Sequence, residues 1–276
     1  MFFSSIVAYS VLAVAVPEDS MLNRAEAGVQ INPVLEVGAL APFSHTIQFG
    51  KSGSDFDYIS EGGQDNLFFF SRLAVDLKLP NRHSLTFLYQ PLNLETAVEA
   101  ERELTFNDWV VPAGTPLDTR WGFEFFRLSW ARDVMQSENS ELSLGFSMQI
   151  RNAIIDFETA DGLARDTLRD IGLVPLFKAR GRFDRPEDGY WWGFEADGAY
   201  APIKYINGDT SDVLGALLDA SVRVGAYGKN GIEPFLNLRY VGGGAEGTTN
   251  DPDPGEDGYN ANWLHFGVLS LGVQLR

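Results

Sequence analysis

Three histidines and one acidic run are the residues whose types could support catalysis or metal binding. His265 with Asp251, Asp253 or Asp257 would supply a general base and an orienting carboxylate, the pairing a hydrolase uses to activate its nucleophile. His45 lies near the start of the first strand and His83 in a short turn, both expected at the same rim and away from His265. No two histidines have a spacing suited to a shared metal. Asp251, Asp253, Glu256 and Asp257 place four carboxylates close together, hard oxygens of the kind that wrap a calcium ion. Their spacing departs from an EF-hand loop and two prolines stiffen the run, so a solvated acidic loop is the simpler expectation. The sequence has no Cys, which removes thiolate nucleophiles, disulfides and cysteine metal sites together. It contains neither G-x-S-x-G nor H-E-x-x-H, and no cofactor is expected.

A second set of reactive groups is larger. Arg72, Asp76, Lys78, Arg127, Arg151, Lys178, Arg180, Arg182, Glu195, Asp197, Asp219, Arg223, Glu233 and Arg239 all fall on the polar faces of alternating segments. Two chemistries fit them. They could line a narrow small-solute pore with its constriction at Lys178, Arg180 and Arg182. They could instead pair with one another inside a filled barrel, because buried charges must be paired.

The elements that carry these residues read as long strands. In Glu141 to Phe157, Leu142, Leu144, Phe146, Met148 and Ile150 share one face, while Glu141, Ser143, Ser147, Gln149 and Arg151 share the other. Asn66 to Leu79, Arg169 to Asp184, Gly189 to Lys204, Asp212 to Gly228 and Ile232 to Gly244 repeat the pattern. Phase slips in Asp118 to Asp133 and Tyr259 to Arg276, which predicts bulges near Phe125 and Val268. Connections alternate between long and short, and Lys229-Asn230-Gly231 suits a hairpin with glycine in the left-handed position. The count is about ten strands in one all-β, antiparallel, up-and-down barrel, the first strand lying near residues 43–50. Pairing residue 184 with 189 would set Lys178 opposite Glu195.

Charge separates the two rims. The chain has 276 residues, with 21 Lys plus Arg against 38 Asp plus Glu, a net charge of -17. Such a surface repels phosphate backbones and argues against nucleic acid. The five long connections, 51–65, 95–118, 158–168, 205–212 and 246–258, hold 20 acidic and 3 basic residues. One rim is therefore electronegative, able to attract cations or basic partners. At the N-terminus the apolar run Phe2 to Val16 is too short to span a bilayer as a helix. With Pro17 and Ala25-Glu26-Ala27 behind it, it reads as a secretory signal peptide over residues 1–27. Residues 28–42 then read as a periplasmic N-terminal segment and 43–276 as the barrel.

An exported chain with an even strand count, short turns at one rim and long loops at the other resembles a bacterial outer-membrane β-barrel protein. The resemblance covers residues 43–276 and is architectural. It implies placement in the bacterial outer membrane, lipid around the apolar face, and aromatic girdles formed by Trp130, Phe183 and Trp192 at one end and Tyr200, Tyr240 and Trp263 at the other. The function expected is structural or interaction-based, with a lumen filled by ion-paired side chains. A narrow pore, an omptin-like outer-rim hydrolase around His265 and a soluble ligand-binding barrel are the alternatives.

Overall fold

The computed structural model describes residues 28–276 apart from 108, 136, 138, 163–164, 203–211 and 249–256. The leader expected over residues 1–27 lies outside the described residues. The strands are β1 Gln30–Phe49, β2 Phe56–Asp57, β3 Phe68–Leu79, β4 His83–Glu99, β5 Leu104–Phe106, β6 Trp109–Val111, β7 Pro116–Asp133, β8 Ser140–Thr159, β9 Arg165–Arg185, β10 Tyr190–Pro202, β11 Leu214–Ala226, β12 Ile232–Thr248 and β13 Tyr259–Leu275. Ten of them, β1, β3, β4 and β7 through β13, form the wall, each antiparallel to its neighbours. Pairing of β13 with β1 closes the barrel. Short turns at Pro80–Arg82, Pro186–Asp188 and Lys229–Gly231 mark one rim. Gly231 adopts φ 72°, the left-handed conformation expected of it.

The first strand is longer than its sequence suggested. β1 begins at Gln30 and pairs with β3 from Gln30 and with β13 from Val34, so residues 30–42 of the expected lead-in supply barrel wall. Asn32, Val34, Glu36 and Leu40 point inward at period two, with Ile31, Leu35 and Val37 outside. Prolines at 33 and 42 obscure that alternation, since proline is uncommon within paired strands. Pro42 sits at the register shift between Pro42 and Ser44. That extra residue flips the phase, so His45, Ile47 and Phe49 point inward beyond it.

The bulges expected near Phe125 and Val268 are absent. β7 keeps one phase throughout: Leu117, Thr119, Trp121, Phe123, Phe125, Arg127, Ser129 and Ala131 are all buried. The change lies in the surroundings. Between the short-turn rim and Phe126 the outside is apolar (Phe126, Leu128, Trp130) and the inside polar. Beyond Phe126 the outside carries Glu124, Arg120 and Asp118 and the inside carries aromatics. β13 likewise keeps Leu264, Phe266, Val268 and Ser270 inward, the irregularity lying across from it on β1. The barrel thus has two storeys. One wears an apolar belt around a polar interior, and the other wears charge around an apolar core, as water outside requires. On β1 the belt ends at Phe43.

Candidate functional site

The belted storey holds a closed network of charge. Among the described side chains, Arg72, Lys78, Arg127, Lys178, Arg180, Arg182, Arg223 and Arg239 meet Glu36, Asp76, Glu141, Asp184, Glu195, Asp197, Asp219 and Glu233, eight enclosed cations against eight anions, and the more exposed Arg276 also pairs with Asp184. Arg127 is central. Its Nη1 donates to Asp197 and to Asp219, both at 2.9 Å, while Nε and Nη2 donate to Gln149 Oε1 at 2.9 and 2.6 Å. Asp197 also accepts from Ser147 and from Lys178 Nζ at 3.0 Å, and Asp219 from Arg239. Glu36 faces three guanidinium groups, those of Arg72, Arg223 and Arg239, at 3.4 to 3.8 Å. Its other oxygen accepts from Asn237 Nδ2 at 2.6 Å and Ser270 Oγ at 3.1 Å.

These bonds tie strands that are remote in sequence. Arg180 on β9 reaches Asp76 on β3 at 3.0 Å and Glu141 on β8 at 2.9 Å, and Lys78 joins the same Glu141 at 2.5 Å. Arg182 bridges Asp184 and Glu233 and lies 4.1 Å over the Trp191 ring. The three cations of the expected constriction, Lys178, Arg180 and Arg182, are therefore all engaged. Lys178 stands opposite Asp197, not Glu195, because the turn pairs Arg185 with Tyr190. The shift is two residues, so the face is preserved and Nζ still reaches Glu195 at 2.6 Å. The side chain of Arg151 lies outside the described part. Glu36 is the member that sequence reading missed, and the period-two pattern through Asn32, Val34 and Glu36 was the signal for it.

Above this layer the lumen is filled by an aromatic plug. Leu40, Ile47, Phe49, Phe70, Leu94, Leu117 and Phe157 of the wall pack against Phe56 and Tyr58 of the first long loop and Leu104, Phe106 and Val111 of the second. The loops are stitched together: Ser54 N–H donates to Thr105 O at 2.7 Å, and Arg102 bonds Glu61 and Asp55 O. β2 pairs with β1 at Thr46 and Ile47, which folds the first loop into the mouth.

His45 belongs to this plug, not to the short-turn rim where its sequence position suggested it would lie. Its ring stacks on Tyr58 at 4.0 Å and meets Trp121 edge-on at 5.2 Å, and its Nδ1 bonds Gln64 Oε1 at 3.1 Å. Burial lowers its pKa from 6.5 to about 4, with the Gln64 bond and Asp57 opposing. A histidine harder to protonate when packed leaves stability intact above pH 6.5 and removes it as pH falls towards 4, where only the undocked form takes up the proton. The full loss is about 3 kcal/mol. Limited proteolysis of segment 50–67 is expected to accelerate across that window in the native chain and much less in His45→Gln. Equal acid dependence in both would refute this role for His45.

The other candidate residues do not assemble. His265 faces outward, its Nδ1 2.7 Å from the Tyr240 hydroxyl, in a ladder with Phe43 and Trp263. Asp257 accepts from the backbone N–H of Lys51 and of Tyr259, both at 2.8 Å, bonds that hold its carboxyl below the usual range and fasten the loop base. Asp251, Asp253 and Glu256 lie outside the described residues. Of the expected girdle, Trp130, Trp192 and Tyr200 are exposed on the outer surface, and Phe183 stacks on Trp192 at 4.3 Å.

No protein-family model matches the chain, and no curated protein matches it in sequence. Its structure is similar to that of the outer-membrane protease OmpT of Escherichia coli, with a TM-score of 0.54 at 12% identity over 89% of this chain and 96% of that one. The Pseudomonas putida toluene transporter TodX (0.35, 9%, covering 89% and 90%) and the Pseudomonas aeruginosa outer membrane protein OprG (0.32, 6%, covering 89% and 96%) are more distant. At these identities the likeness to OmpT is one of fold. The chain has the fold of bacterial outer-membrane β-barrels.

Proposed function

We propose that the chain is an integral outer-membrane barrel of structural or interaction type, delivered by the leader at residues 1–27, with its lumen closed and its long-loop rim turned to the cell exterior. The observation that carries this reading is the interior. Among the described side chains eight enclosed cations meet eight anions, with Arg276 joining Asp184 from the rim, and an aromatic core lies above them. A solute path needs free charge along its length; here every one of these charged groups faces an opposite charge, although Ser221 Oγ, Asn237 Oδ1 and some guanidinium nitrogens of Arg72, Arg223 and Arg239 make no hydrogen bond. The outer belt supports membrane placement over a soluble barrel, with Phe69, Phe177 and Leu271 exposed by 73%, 70% and 66%. Partners are then lipid around the belt and cations or basic molecules at the acidic rim, where Glu95, Glu99, Glu101, Glu103 and Asp118 are exposed.

Planar-bilayer recording tests the closed lumen. Reconstituted protein is expected to give no discrete current steps, and reproducible steps would overturn the reading in favour of a narrow pore. Placement is tested separately by fractionation and gel migration with and without boiling. A membrane barrel sediments with the outer membrane and shifts on boiling, whereas release as a soluble periplasmic protein would refute the placement.

A further inference from the structure

The outer surface at the short-turn rim is not uniform. His83 on β4 and Arg132 on β7 are directly opposed, both facing outward, and Arg82 precedes His83 in the turn. Arg82 and Arg132 are exposed, and neither has an ion-pair partner among the described residues. Asp133 does not neutralise them: it lies on the inward parity of β7, with Oδ1 accepting the N–H of Met135 and of Leu142. Trp130, the next outward residue towards the belt, stacks on His83 with ring centroids 5.6 Å apart. Unpaired cations beside an interfacial tryptophan form a surface that attracts anionic headgroups.

A groove of about 530 Å³ starts at this spot and runs into the belt. From Arg132 the cross-strand row passes through Leu144, Ala179, Ala196 and Ala220. The adjoining row runs Trp130, Phe146, Phe177 and Gly198, with the two phenylalanine rings 5.4 Å apart. Small residues floor the groove and the large rings wall it. Arg132 is next to the rim end of β7, whereas Ala196 lies about 20 Å along β10 from the rim residue Tyr190. The row therefore descends from the rim towards the middle of the belt, the path of an acyl chain below its headgroup.

We infer that this patch holds one anionic phospholipid of the leaflet at the short-turn rim, with its phosphate against Arg132 and Arg82 beside His83. One acyl chain lies in the groove between Trp130 and Phe177. The inference rests on the membrane reading above. Two arginines near a charged lipid surface account for at least about tenfold selectivity over a zwitterionic lipid.

The test uses the full chain in detergent micelles, offered phosphatidylglycerol or phosphatidylcholine with identical chains, and native mass spectrometry of what is retained. One phosphatidylglycerol per barrel is expected, retained about tenfold over phosphatidylcholine. The double variant Arg82→Ala, Arg132→Ala should lose that selectivity. Ala196→Phe, which fills the groove, should lose retention with the arginines intact. Boiling-dependent gel migration confirms that each variant is folded. Equal retention of the two lipids by a folded barrel, or selectivity that survives in the double variant, would overturn the lipid site while leaving the membrane reading standing. Failure of the native chain to shift on boiling would remove the membrane reading itself.

Discussion

Arg127→Leu is expected to destabilise the barrel by about 3–5 kcal/mol, the cost of breaking a buried ion pair from one side. The Arg127 side chain has 3% of its surface exposed, and its guanidinium donates to Asp197, Asp219 and Gln149. Leucine supplies none of those donors. Asp197 keeps Lys178 and Ser147, and Asp219 keeps Arg239, so neither aspartate is isolated, yet each loses a bond at 2.9 Å in a site that water does not reach. Removing the whole unit differs from removing half of it. Arg127→Leu combined with Asp219→Leu should cost less than the two single changes added together, because the second change deletes a carboxylate that the first left underpaired. Urea unfolding of the barrel in lipid vesicles, followed by tryptophan fluorescence, measures both. A loss below about 1 kcal/mol for Arg127→Leu, or strict additivity in the double variant, would mean the network contributes little and the lumen is wetter than its packing shows.

The same network shows which parts of the molecule its sequence made legible. In the belted storey inside and outside have opposite polarity, so the alternation through Arg127, Ser129, Ser143, Ser147 and Gln149 is visible residue by residue. Face assignment there survives an error of register, as Lys178 shows: the turn sets it opposite Asp197, two residues from the expected partner, and both partners lie on the same face. Legibility fails where the surroundings change. On β7 the inward residues turn from Arg127 to Phe125, Phe123 and Trp121 without any change of phase, and a reader who expects polar residues inside infers a bulge. The real bulge, between Pro42 and Ser44, sits in a stretch whose prolines hid the strand itself, and with it Glu36 and the inward turn of His45. Phe56, Tyr58, Leu104 and Phe106 follow no long periodic pattern because they come from loops and short strands. Only the closed wall gives them something to pack against.

Phe157→Ala tests that last dependence. Phe157 is fully buried near the outer end of β8 and meets Phe106 at 4.3 Å, Phe56 at 5.4 Å, Tyr58 at 5.8 Å and Phe49 at 5.9 Å between ring centroids. It is the wall residue against which both inserted loops pack, and its removal should cost about 3–5 kcal/mol. Because the loops are held by apolar contact and a few hydrogen bonds, while the wall is held by long antiparallel ladders such as those of β8 with β7 and with β9, the loss should fall on the plug. Cleavage within segments 50–67 and 100–115 is expected to accelerate by more than tenfold, with boiling-dependent migration of the barrel unchanged. Phe157→Leu, which keeps most of the volume, should lie between. Unchanged cleavage in Phe157→Ala would show that the loops are anchored elsewhere, by Arg102 and the Ser54 bonds rather than by the aromatic core. Conductance separates the two layers of closure. Loosening the plug leaves the balanced ionic layer in place, so Phe157→Ala should remain silent in a planar bilayer. Current steps in that variant, with none in the native barrel, would place the seal in the plug and leave the ionic layer permeable.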